Sequence, residues 1–329
     1  MTRRHRFVST VCGLAAVMLT CAASPASRAA GPVPPRQDVG PAPEFAGIKG
    51  WLNGGPLTMA GLRGKVVLVD FWAYSCINCI RTLPFLERWQ SQYGSQGLVV
   101  VGVHTPEFRF ETNPHNIQSA ISRFGINYPV AEDDDMQTWN AFHNRYWPAE
   151  YLIDRAGHIV SAHAGEGEYG ATENAIRTLL GNHSSVGPEN GVDLSRIGSP
   201  EMYFGLQRVA MLASPQAPRA GAQIYTAPAT LPLNRFALVG RWSLAGESAT
   251  LAQPGGRILL HCRSGKIFMV ASSTAPVTVK VTVDGKPAAD VTIQGSRLYT
   301  LFDSSDYGEH ELELDIPRAG LSAFTFTFG

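Results

Sequence analysis

The chain has 329 residues, 44% of them hydrophobic and 16% charged, with 27 basic side chains against 27 acidic ones. That length carries two domains with cores of their own and needs no staple. The zero balance excludes a strongly basic nucleic-acid-binding protein, and the apolar fraction excludes wholesale disorder. At the start, Arg3, Arg4 and Arg6 precede an apolar stretch at 7–23, followed by small residues around Ser24-Pro25-Ala26 and Ser27-Arg28-Ala29. This pattern predicts a secretory signal peptide over 1–30 and a periplasmic or secreted mature protein. The alternatives are an uncleaved anchor, for which a run of about 17 residues is short, and a lipoprotein, for which Met18-Leu19-Thr20 before Cys21 is a poor signal. Cleavage removes four arginines and no acid, so the mature chain is mildly acidic. Residues 31–43, rich in proline, read as an extended lead-in.

From 44 to 180, strand and helix patterns alternate. Residues 65–72 (KVVLVDFW) form a continuous apolar run of the kind a buried central strand carries. Residues 77–93 are helical around Pro84, and 97–104 (GLVVVGVH) repeat the buried-strand pattern. Ile117, Ala120, Ile121 and Phe124 fall at helical spacing. Residues 150–154 and 158–163 read as a hairpin about Ala156-Gly157, and 169–180 as a last helix stopped by Gly181. Residues 181–200 carry no apolar period and read as a linker. Beyond it the period changes: short alternating runs at 237–244, 257–262, 266–271, 277–283, 290–294, 297–302, 309–316 and 323–328 are separated by turn signals. An all-β sandwich over 201–329 follows.

The chemistry concentrates at Cys76-Ile77-Asn78-Cys79, where a buried strand runs into a helix. A cysteine at a helix N-terminus faces orphan amide groups and the positive end of the macrodipole, so its thiol pKa is expected to fall. The second cysteine lies one turn on, close enough to close a disulfide. One thiolate attacks a substrate disulfide and the other resolves the mixed disulfide. The rival readings are half of a zinc site, which lacks further ligands at suitable spacing, and a buried structural disulfide. No metal and no separate cofactor is expected; the redox group is the Cys76–Cys79 pair.

The segment LVDFWAYSCINC resembles the active-site strand and turn of the thioredoxin superfamily, in its TlpA-like branch. KVVLVDFWAYSCINCIRTLP, GLVVVGVHTPEF, NRYWPAEYLID, SPEMYFG, the Leu298-Tyr299 pair and the closing FTFTFG resemble the extracytoplasmic part of DipZ-type proteins over roughly residues 40–329. Those proteins join a CcdA-like membrane domain to a thioredoxin domain and a carbohydrate-binding-module-like β domain; here a signal peptide stands in the membrane domain's place. The resemblance implies an α/β thioredoxin fold followed by a jelly-roll-like β sandwich. It gives Cys76 the attacking role, Cys79 the resolving role and Asp70 that of a buried carboxylate accepting the Cys79 proton. It places Trp72, Trp147 and a cis Pro148 along the substrate groove and makes Pro84 a structural kink. Glu107 and Glu150 are further candidates near the thiols. The implied activity is extracytoplasmic reduction of protein disulfides, with a CcdA-like membrane electron donor and an envelope glycan as a candidate ligand of the β domain.

Three other functions compete. A thiol peroxidase would carry Thr or Ser three residues before the attacking cysteine, where this chain has Ala73. An oxidase would donate disulfides through the same residues. An envelope-binding protein would use the thioredoxin half as scaffold. Elsewhere, Asp133-Asp134-Asp135 reads as a solvated acidic loop rather than a cation site, and Cys262 as a buried thiol. Trp242, Tyr299 and Tyr307 are aromatics that could stack on a sugar but more often serve a core.

Overall fold

In the β-branched run 66–72 every side chain is buried, because the strand it forms is covered on both faces. This strand centres the first half of the structure, a computed structural model that describes residues 40–189 and 191–329. The expected signal peptide and most of the lead-in lie outside the described residues. Among the described residues no helix is long and apolar enough to cross a membrane.

The α/β region runs β1 (Trp51–Leu52), β2 (Val66–Trp72), α1 (Ile77–Tyr93), β3 (Leu98–His104), α2 (Pro114–Phe124), β4 (Val130–Glu132), α3 (Gln137–Ala141), β5 (Ala149–Ile153), β6 (Ile159–Ala164) and α4 (Tyr169–Leu179). The sheet order is β1-β4-β3-β2-β5-β6. Strands β2, β3 and β4 are mutually parallel, while β1, β5 and β6 run antiparallel to their neighbours. Alternation along β2 sends Val66, Leu68 and Trp72 into one core with Leu83, Leu86 and Trp89 of α1, and sends Val67, Val69 and Phe71 into the other with Trp139 and Phe142. Asp70 shares the face of Leu68 and Trp72, the face α1 covers. The end of the lead-in is docked: Pro41 bridges His158 and the Ala42 amide donates to the Gly157 carbonyl.

The β region contains β7 (Met202–Tyr203), β8 (Gly221–Tyr225), β9 (Arg235–Leu244), β10 (Ala249–Leu251), β11 (Gly256–Arg263), β12 (Lys266–Ser272), β13 (Val277–Val283), β14 (Lys286–Pro287), β15 (Val291–Ile293), β16 (Arg297–Asp303), β17 (Glu309–Ile316) and β18 (Ser322–Phe328). One antiparallel sheet curls so that β13, β17, β11 and β9 face β10, β18, β12 and β16 across a single apolar core. Strand β9 belongs to both layers, pairing β11 along residues 235–239 and β10 along 242–244. Alternating burial along β11, β13 and β17 marks strands covered on one face. Several elements have no counterpart in the sequence reading: β1, β4, α3, β7, β8, β10 and β14 are two to five residues long, too short to show a period.

The two regions pack directly. Phe108 and Phe110, from the segment after β3, meet Phe324 with ring centroids 5.3 and 4.8 Å apart. Val270 and Tyr203 complete this apolar patch. The Arg109 amide donates to Glu247 and Arg208 pairs with Glu107, fixing the same segment by polar contacts. The stretch read as a linker is held at both ends, by Glu189 on Arg88 and by the Gly198 amide on the Arg263 carbonyl.

Candidate active site

Strand β2 ends at Trp72, and four residues later Cys76 caps α1. Its backbone is extended, and its Sγ accepts the Cys79 amide at 3.3 Å. A sulfur therefore takes the place a Ser or Asp oxygen usually fills at a helix start. Both cysteines are free thiols, Cys76 slightly accessible and Cys79 fully buried one turn on. The expected fall of the Cys76 pKa is not what the surroundings produce. Burial raises it, and the charges of Glu107 and Glu201 raise it further, outweighing the donors at the helix start. Cys79 is pushed higher still, by burial and by donating to Cys76. The order between the two survives the correction: Cys76 is the easier to ionise.

Beneath the pair lies a buried carboxyl pair. Asp70 on β2 and Glu150 on β5 are directly opposite in register, so their side chains lie side by side on the face under α1. Neither Asp70 oxygen has a hydrogen-bond partner, and burial followed by the Glu150 charge pushes its pKa well above the usual range. Glu150 accepts from Thr172 Oγ1 at 3.2 Å, and burial raises it to about 7. Neither is a solvated edge residue. On the other side of Asp70, its parallel partner is Gly102. A Cβ at Gly102 would stand 3.0 Å from Trp72 Nε1 and 3.1 Å from Tyr128, so glycine makes room for two rings beside the carboxyl. The Trp72 Nε1, the Tyr128 hydroxyl and both His104 nitrogens are also buried without partners. Burial drives His104 down to about 3, so it is neutral.

A second carboxylate holds the cysteine turn. Glu111 accepts from the Ser75 amide and hydroxyl at 3.1 and 2.8 Å, and from the Glu107 and Phe108 amides at 2.8 and 3.1 Å. It ties the residue before Cys76 to the segment that meets the β region. Burial, then the Glu107 charge, lifts its pKa to about 7 despite four donors. The sequence reading missed this residue: 36 positions separate it from Ser75, and no pattern links the two.

Trp147 and Pro148 are joined by a cis peptide bond, just before Ala149 pairs with Phe71 at the cysteine end of β2. The half-buried Trp147 donates from Nε1 to the Thr105 carbonyl at 2.9 Å and packs on Trp139. Trp72 does not line a groove: it is fully buried against His104 and belongs to the core, a correction of its expected place. Glu107 sits at the rim, accepting from the Tyr203 hydroxyl and Arg208. In the β region, Trp242 and Tyr299 are core residues, inaccessible to a sugar, and Tyr307 lies under Arg196. Cys262 is buried and raised to about 12 by burial. Asp133 is not a solvated loop residue: it is buried and accepts the Thr138 and Trp139 amides of α3. Among the described residues no group of three or more His, Cys, Asp or Glu is placed to hold a metal ion.

Comparison with known proteins adds the family. Residues 40–162 match the AhpC/TSA family model, and 199–329 match that of the thioredoxin-like C-terminal domain. The thiol-disulfide oxidoreductase YkuV of Bacillus subtilis is 33% identical over 141 residues, covering 94% of that protein and 43% of this chain. The chain belongs to the thioredoxin-like thiol-disulfide oxidoreductases. A second relative, the protein DipZ of Mycobacterium bovis, is 38% identical over 309 residues, which is 89% of this chain. The chain spans 43% of the length of that relative. A thiol:disulfide interchange protein DsbE of Chlorobium tepidum, described as putative in its crystal structure, is 26% identical over 44% of this chain and 98% of its own, with a TM-score of 0.39.

Proposed function

We propose that this oxidoreductase reduces protein disulfides through a Cys76–Cys79 dithiol, outside the cytoplasm. The observation that carries the reading is the cysteine arrangement: one thiol, slightly accessible, caps α1 and accepts the amide of the other, which is fully buried near Asp70. Cys76, the less buried and more easily ionised sulfur, attacks a substrate disulfide and forms a mixed disulfide. Cys79 then attacks Cys76, its proton passing to Asp70, and the reduced substrate leaves. A buried, unpartnered carboxyl suits that step, because it is easily protonated at neutral pH. The Glu150 charge beside it reinforces that tendency. The exposed Tyr146 and half-buried Trp147, next to the cis Pro148, offer an edge along which an extended peptide can lie.

The likeness to DipZ supports an extracytoplasmic setting and a CcdA-like membrane electron donor, as does the signal-peptide pattern at 1–30. Protein disulfides are the substrate class that an exposed edge of this kind admits. The test is turnover of insulin disulfides with a dithiol reductant. Wild-type protein should catalyse it, and Cys76→Ser should reduce the rate at least about 10³-fold, as loss of a nucleophile does. Equal turnover by the variant would refute the assignment.

A further inference from the structure

The β region contributes side chains to a cleft beside the two residues that separate the cysteines. A cleft of about 220 Å³ is walled on one side by Ile77 and Asn78, the two residues between the cysteines, and on the other by Pro200, Glu201 and Phe328. Tyr203 stands next to it, with its hydroxyl 2.9 Å from Glu107 of the α/β region and 2.7 Å from Glu201. A phenol has one proton to donate. Two ionised carboxylates on one phenol would set lone pair against lone pair at one of the contacts, so one carboxyl must carry a proton. Arg208 decides which. Its Nη1 lies 2.7 Å from Glu107 and makes no such pair with Glu201, while its guanidinium stacks 3.7 Å from the Tyr203 ring centre. The proton therefore sits on Glu201, which donates to Tyr203, which donates to Glu107. Glu201 is solvent-accessible along the cleft wall, yet the protein mass around its carboxyl, followed by the Glu107 charge, pushes its pKa upward against the Tyr203 hydrogen bond and the Arg208 charge.

We propose that Glu201, held by Tyr203 and Glu107, is the acid that protonates the substrate sulfur leaving at Cys76, so that the β region completes the active site. This rests on the dithiol reading given above. The Cys76 thiol loses its proton to water, and the thiolate attacks, forming the bond from Cys76 to one substrate sulfur while the substrate S–S bond breaks. The electron pair leaves on the other substrate sulfur, which takes the Glu201 proton. Water reprotonates Glu201. Cys79 then forms the Cys76–Cys79 disulfide, its own proton passing to Asp70, and the second substrate sulfur leaves by the same route.

The test compares two small disulfides at neutral pH with the full chain: hydroxyethyl disulfide, whose leaving thiolate is basic and needs a proton, and dipyridyl disulfide, whose leaving group does not. Glu201→Gln keeps a hydrogen bond to Tyr203 but has no acidic proton. It should lower the ratio of the hydroxyethyl to the dipyridyl rate on the order of 10²-fold, the scale a positioned acid supplies. Glu201→Asp should recover part of the loss, and Tyr203→Phe should lower the ratio less. An unaltered ratio in Glu201→Gln, with the wild type active on both, overturns this proposal and leaves the dithiol reading standing. A wild type inert to both disulfides overturns the two together.

Discussion

Around the cysteines the α/β region buries Asp70, His104, Glu111 and Glu150. The buried polar groups of the β region are, His310 apart, the hydroxyls of serine and threonine, set about a core of aliphatic and aromatic side chains. Each buried polar atom without a partner costs about 1–3 kcal/mol, and Asp70 alone carries two. The β region bears it too, at the Tyr225 hydroxyl, His310 Nε2 and Thr327 Oγ1, but only the α/β region places unpartnered carboxylate oxygens beside the thiols. The contrast also explains the two kinds of cysteine. Cys76 caps a helix beside charges that shift its ionisation, whereas Cys262 is packed into the apolar core and is inert by burial.

The contrast breaks most visibly in the β core. Trp242 is fully buried, and Trp242→Ala should cost about 3–5 kcal/mol in denaturant unfolding, with the same cost at acid and neutral pH. A cost that changes with pH would place titratable chemistry in the β region after all. The α/β region should behave in the opposite way. Glu150 and Glu111 both rise from an ordinary 4.5 to about 7 on folding, through burial first. The folded state then binds more protons than the unfolded chain between those values. Their stabilising effect is complete below about pH 4.5 and is lost as pH climbs through 7, by at most roughly 3 kcal/mol for each group. Glu150→Gln should flatten that decline; an unchanged slope of stability against pH would show that Glu150 is not held protonated. The third change, Asp70→Asn, should slow release of the mixed disulfide about tenfold or more in single-turnover kinetics. It should also raise stability above neutral pH, because a buried unpaired charge is removed. Faster release would exclude Asp70 as the proton acceptor.

Much of the site was legible because it is local. The run 66–72, Cys76, Cys79 and Pro84 fall on one strand and one helix, and hydrophobic period marks both. Strand pairing brought Glu150 against Asp70, which the linear chain shows only as two acids in separate apolar stretches. The long-range polar contacts were not legible. Ser75 to Glu111 spans 36 positions and Glu107 to Tyr203 spans 96, and neither link leaves a periodic trace. The sign of the Cys76 shift was misjudged for a related reason. The helix start is visible in sequence, but the burial and the Glu201 charge that outweigh it come from tertiary packing. Trp72 and Trp242 show the same limit: a tryptophan in a strand declares its bulk, and only packing decides whether it meets solvent.

The central claim is that Cys76 attacks and Cys79 resolves. The direct measurement is trapping with Cys79→Ser, followed by mass spectrometry of the adducts. The account predicts protein substrates held as mixed disulfides on Cys76 and released by reductant, with Cys76→Ser trapping none. Adducts on Cys79 in a Cys76→Ser protein, at a yield equal to or above that on Cys76, would contradict it.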